Sequence, residues 1–139
     1  MNNKYNGHIV IVFAQEHYNP LGLIRSLGEN GVNPIYFSVK RRGPVACLSK
    51  YISETYFVDS VEEGYNLLLK KYGNEIEKPY VLFSDDKCVG YFDLHYKDIK
   101  DKFICYNAGC NGRINEFMDK DKILKLAKNM DSMYLILML

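Results

Sequence analysis

The chain has 139 residues, enough for one compact domain with a real core and short for two. Its 18 Lys and Arg stand against 17 Asp and Glu, and a formal charge of +1 leaves no sign-biased surface of the kind that engages nucleic acid or an anionic membrane. The 4 cysteines (Cys47, Cys88, Cys105 and Cys110) form no C-x-x-C pair and no basic-then-apolar leader opens the chain, which reads as a reduced, cytoplasmic protein.

In chain order, "HIVIVF" (His8 to Phe13) is a continuous apolar run rich in β-branched residues, as a strand covered on both faces requires. Asn19-Pro20 predicts a helix start, with Asn19 as cap and Pro20 in the first turn, where its missing N–H does no harm. Leu23, Ile24 and Leu27 then share a face, and Gly31 ends the helix. A second strand follows at Pro34–Ser38 and a third at Thr55–Val58, within "ETYFV". Val61, Tyr65, Leu68, Leu69 and Tyr72 recur at helical spacing up to Gly73. Tyr80–Phe83 is a fourth strand, closed by Asp85 and Asp86. "DKCVGYFDLHY" predicts a helix, "KFICYN" a fifth short strand and "NAGCNG" a glycine-rich loop. Asp119 is placed to cap a last helix on which Ile123, Leu126, Ala127 and Met130 share a face. This alternation predicts an α/β fold, a Rossmann-like parallel sheet with helices on both faces, in which the first four strands lie in the order 3-2-1-4.

The loop after the first strand decides between ligand classes. A dinucleotide fold carries G-x-G-x-x-G there, so that the backbone can turn tightly and approach the pyrophosphate. Here the stretch is "FAQEHYNPLG", which lacks the first two glycines, and no P-loop signature occurs anywhere. Lys40, Arg41 and Arg42 after the second strand would suit a 2′-phosphate, but without the glycines a solvated basic turn is favoured. The loop does place Glu16, His17 and Asn19 at the carboxyl end of a central strand, where open α/β sheets bind ligands. Two readings stand on position alone: Glu16 orients an amine and His17 a carboxylate, or the loop faces solvent and Asn19 is only a cap. No metal site is expected, since no histidine lies near Cys105 and Cys110, and the thiols read as buried and free.

"NPLGLIRSLGENGVNPIYFSV", "SKYISETYFVDS", "KPYVLFSDD" and "RINEFMDKDKILKLAKNM", in this order, resemble the start of ATP-grasp carboxylate–amine ligases of the D-aspartate ligase-like group. The resemblance runs from about His8 to Met130. It implies that residues 1–130 are a pre-ATP-grasp domain, the Rossmann-like unit that precedes the domain clamping ATP. Such enzymes use ATP and Mg²⁺ to turn a carboxylate into an acyl phosphate, from which an amine displaces phosphate. It further implies close packing at Gly22 and Gly28, Arg25 and Glu29 turned outward, and a nucleotide phosphate contact at Lys120, with Lys122 as the nearby competitor. Two departures stand out: "FAQEH" replaces the glycine pair and Asp frequent in the group, and "DSMYLILML" replaces the expected run toward a proline.

The expectation is therefore an N-terminal ligase fragment, inactive alone, with no catalytic residue and no bound cofactor of its own. Its carboxylate and amine substrates would act through the missing domain. Residues 131–139 read as an apolar tail and truncation point, too short to span a membrane, which packs either as a final strand on the sheet or across a two-fold axis in a homodimer. The alternatives are a stand-alone Rossmann-like nucleotide or small-molecule binding module, and an interaction subunit docking through that tail.

Overall fold

A computed structural model describes residues 1–40 and 43–137, with side chains as far as Met130. Arg41 and Arg42, named above for a 2′-phosphate, lie outside the described residues. The apolar run extends two residues beyond its predicted end as β2 (His8–Gln15), after a two-residue β1 (Lys4–Tyr5). Then come α1 (Tyr18–Glu29), β3 (Ile35–Val39), a 3₁₀ turn at Ala46–Leu48, β4 (Glu54–Val58), α2 (Val61–Tyr72) and β5 (Tyr80–Phe83). The chain continues through α3 (Asp86–Leu94), α4 (Tyr96–Ile99), β6 (Ile104–Cys105), α5 (Arg113–Met118) and α6 (Lys120–Leu137). The sheet order is β4-β3-β2-β5-β6, and these five strands are parallel throughout. The predicted 3-2-1-4 winding is the one observed for β4, β3, β2 and β5.

Alternation along the strands sorts the core into two layers. Ile11, Phe13, Ile35, Phe37 and Val81 face α2 and α3, where Val61, Tyr65, Leu68, Cys88 and Phe92 close over them. Val12, Ala14 and Tyr36 point the other way, against Ile24 of α1 and Ala46 of the 3₁₀ turn. The continuous apolar character of β2 follows from this, because both of its faces are roofed.

Three boundaries differ from expectation. His17, not Asn19, caps α1: its Nδ1 accepts from the Asn19 backbone N–H at 3.1 Å. The helix therefore starts one residue before Asn19, and an imidazole lone pair serves where the sequence offers a carboxamide. β1 pairs antiparallel with β2 through the tight turn at Asn6 and Gly7, whose φ angles of 50° and 86° are the left-handed pair that an Asn-Gly hairpin turn needs. The predicted helix after β5 breaks at His95 into α3 and α4. Other caps follow expectation: Asp119 Oδ1 accepts from the Asp121 N–H at 3.0 Å, and Gly31 adopts φ 82° just past α1.

All four cysteines are free, but Cys105 is half-buried and Cys110 exposed, so the expectation that these two thiols are buried is corrected. Among the described residues no helix is long and apolar enough to cross a membrane. For the tail, the backbone is helical through Leu137, so Met133–Leu137 does not form the final strand that was one of the two expectations.

The resemblance implied close packing at both Gly22 and Gly28, and the structure separates them. A Cβ on Gly28 would collide with the ring of Tyr51, whereas one on Gly22 would meet nothing within 4 Å. Tyr51 is held from its backbone, its carbonyl accepting from Asn33 Nδ2 at 2.9 Å, so the ring cannot simply slide away. Gly28→Ala is expected to destabilise by about 1–3 kcal/mol through overpacking. Gly22→Ala is expected to stabilise by up to about 1 kcal/mol, because alanine is the better helix former where space is open. Thermal unfolding of the two variants checks both signs at once.

Candidate functional site

The carboxyl ends of β2, β3 and β4 open onto a cavity of about 430 Å³, lined by Glu16, Ser38, Lys40, Cys47, Phe57 and Asp59 among others. Glu16 forms its floor and is 5 % exposed. It follows the last residue of β2, and its backbone N–H still donates to the Val39 carbonyl at 2.9 Å, which turns its side chain back under β3.

Four donors converge on that carboxylate. Tyr36 Oη and Ser38 Oγ donate to Oε2 at 2.8 and 2.7 Å, and the Val45 and Cys47 backbone N–H groups donate to Oε1 at 2.7 and 3.0 Å. Tyr36 and Ser38 are two apart in β3 and so share a face, opposite Val12 and Ala14 of β2. Burial pushes the Glu16 carboxyl up, but the hydrogen bonds from Cys47, Ser38, Val45 and Tyr36 together outweigh it and hold the group below its ordinary value. The same contact acts in reverse on its neighbours. Burial, then the Glu16 hydrogen bond and charge, raises the Tyr36 phenol far above its usual range. The Cys47 thiol is also raised, by burial first and then by the Glu16 charge, which makes it a poor thiolate nucleophile at neutral pH.

This geometry assigns Glu16 a mechanical job. A carboxylate offers about four lone-pair positions, and all are taken, so none is left to orient an amine. What Glu16 does is pin the loop carrying Val45 and Cys47 onto the end of β3, giving the cavity a rigid negative floor. Above it, Lys40 Nζ sits 3.7 Å from Asp59 Oδ1 in an ion pair at the solvent-exposed rim. Phe57 contributes a largely exposed ring to the same rim. The cavity can therefore present an aromatic face and a cation to a small molecule.

A second carboxylate organises the crevice between β2 and β5, where the winding of the sheet reverses. Asp85 caps α3, its Oδ1 accepting from the Cys88 N–H at 2.9 Å, while Oδ2 accepts from the Gln15 N–H at 2.9 Å. One side chain thus ties the carboxyl ends of the two central strands together, at the point where open α/β sheets hold ligands.

Of the residues singled out from sequence, Glu16, His17 and Asn19 remain close together, but with different tasks. Glu16 is buried and saturated, His17 is half-buried and caps α1, and Asn19 is exposed in the first turn of α1. Lys120 is exposed at the first position of α6 and is not among the residues lining the cavity above Glu16. Lys122 lies beside a separate hollow between α5 and α6. Sequence reasoning missed Tyr36, Ser38, Cys47 and Asp85 as partners. The signal for the first two was two polar side chains at alternate positions in an otherwise apolar strand, a pattern that demands a buried acceptor.

Known protein families, characterised proteins and solved structures offer no match to this chain.

Proposed function

We propose that this chain supplies the N-terminal Rossmann-like domain of a cytoplasmic, ATP-dependent carboxylate–amine ligase. On this reading ATP, Mg²⁺, the acid and the amine are held chiefly by a clamping domain outside residues 1–139. The observation that carries it is the order β4-β3-β2-β5-β6 followed by α5, packed against α3, and then by α6, which is exposed from Lys120 to Met130. That arrangement accords with the resemblance of "RINEFMDKDKILKLAKNM" to the exit segment of such domains. Within this reading Glu16 and Asp85 keep the strand ends rigid, His17 fixes the start of α1, and Lys120 stands on an exposed helix start where it would meet a nucleotide phosphate at a domain boundary. Phosphoryl transfer depends almost wholly on positioned cations and hydrogen-bond donors. The segment by itself is therefore expected to release no ADP in the presence of Mg–ATP, any carboxylate and any amine.

A coupled assay for ADP checks this, and amine-dependent release abolished by Lys120→Ala would overturn it. Sequencing the gene beyond codon 139 tests the wider reading. A continuing frame with glycine-rich and acidic metal-ligand motifs supports a ligase, whereas a stop codon with no such frame speaks for the second reading.

That second reading is a stand-alone small-molecule binding module, and the cavity above Glu16 favours it. The cavity combines Lys40 with an exposed aromatic ring at the end of the sheet where ligands collect.

A further inference from the structure

One face of the sheet is covered across its width by α2 and α3, but on the other, among the described residues, α1 and the 3₁₀ turn cover only β2 and β3. Over β5 and β6 this second face carries no helix among the described residues. Register pairs Tyr80 with Ile104, so Tyr80, Leu82 and Ile104 point together out of the bare side. Two hollows of about 420 and 230 Å³ lie there end to end and share Leu82. The first is lined by Tyr5, Val10, Leu27 and Tyr80; the second, lined by Leu23, Tyr106, Phe83 and Val89 of α3, opens at the edge of β5 beyond its pairing with β6. Together they form an apolar trough flanked by α1, and Tyr5 and Tyr106 are both more than half exposed along it.

The molecule also carries a helix that lacks a roof. Every residue from Lys120 to Met130 in α6 is exposed, including Ile123, Leu124, Leu126 and Met130. These side chains form a stripe at the spacing of a buried helix face. The expected shared face of Ile123, Leu126, Ala127 and Met130 is thus present on the helix, and among the described residues none of it is buried.

We propose that α6 of one copy lies in the β5–β6 trough of a second copy, and that the exchange is reciprocal about a two-fold axis. The same chain cannot fill its own trough. α5 packs against α3, on the opposite face of the sheet, and only Asp119 separates α5 from α6. Area decides that the exchange is reciprocal. An 18-residue helix is about 27 Å long and about 10 Å wide, so a single helix-in-trough contact removes roughly 550 Å² counted on both sides, below what a stable association needs. Two such contacts around the axis reach roughly 1,100 Å² and clear the threshold of about 1,000 Å². A closed two-fold arrangement also leaves no free trough to propagate a chain of molecules.

The full 139-residue protein is expected to have twice the chain mass by light scattering at micromolar concentration. Met130→Glu on the helix and Tyr106→Asp on the trough each change an exposed side chain. Each is expected to raise the dissociation constant roughly tenfold or more. Disulfide trapping locates the contact. In a Cys110→Ser background, protein carrying Ser26→Cys is mixed with protein carrying Leu126→Cys, and the product expected on oxidation is the mixed disulfide between the two. A monomer at all concentrations overturns the proposal. So does a dimer indifferent to Tyr106→Asp, or one that traps only through Leu126→Cys on both copies, since those results mean another surface or a simple helix–helix pair.

Discussion

Replacing Glu16 by Ala is expected to lower the stability of the fold by about 3–5 kcal/mol, the range seen when one member of a buried charged network is removed. The reason lies in what is left behind. Tyr36 and Ser38 are buried, and with the Val45 and Cys47 N–H groups they would lose the common acceptor that satisfies all four. Each unsatisfied buried donor carries a desolvation penalty of about 1–3 kcal/mol, and the penalties overlap because the loop can move outward and let water in. At roughly 3–4 °C per kcal/mol for a chain of this size, the melting temperature should fall by roughly 10–20 °C. Glu16→Gln keeps the shape but sets an amide NH₂ against two donors, and should sit between the wild type and Glu16→Ala. The pH dependence has a definite sign. The Glu16 carboxyl titrates lower in the folded than in the unfolded chain, so its contribution is fully present above the unfolded value of about 4.5 and is lost as pH falls through the folded value. Denaturant melts between pH 3 and 6 should show this slope in the wild type and a shallower one in Glu16→Gln. Equal slopes would mean that the carboxylate does not carry the effect.

Phe13→Ala should be of similar size for a different reason. The ring is fully buried at the centre of the sheet, 4.9 Å from Phe92 edge-on and 5.6 Å from Phe37 in a stack, measured between centroids. Gly64 of α2 approaches so closely that a Cβ there would lie 2.6 Å from Phe13 Cζ. The glycine and the ring therefore define one packing joint between β2 and α2. Deleting the ring removes its transfer free energy and leaves a cavity that flanking aromatics, held in their own contacts, can only partly fill, at a cost of about 3–5 kcal/mol. Phe13→Leu, which keeps most of the volume, should lose about half as much. Chemical denaturation of both variants measures the difference, and a Phe13→Ala loss under 1 kcal/mol would show that the core collapses around the vacancy.

The winding of this protein was legible because it rests on local patterns. Continuous β-branched runs, helical spacing and the Asp119 cap each act within a few residues, and right-handed crossovers leave little choice of order. The hairpin at Asn6-Gly7 is equally local but was not among the expectations, although the Asn-Gly pair is its signal. Cap choice was only half determined, since both His17 and Asn19 carry a suitable lone pair and the helix start selects between them. What the sequence could not decide was which polar atoms meet. Glu16 finds Tyr36 and Ser38 only because β2 and β3 lie side by side in one register, and finds Val45 and Cys47 only because the following loop folds back over that edge. The same holds for the two apolar surfaces: the spacing of Ile123, Leu126 and Met130 announces a stripe to be covered, but that the sheet is bare over β5 and β6 follows from which face each crossover helix takes. Periodicity is a property of neighbours along the chain, whereas burial and hydrogen-bond partnership belong to groups brought together from distant parts of it.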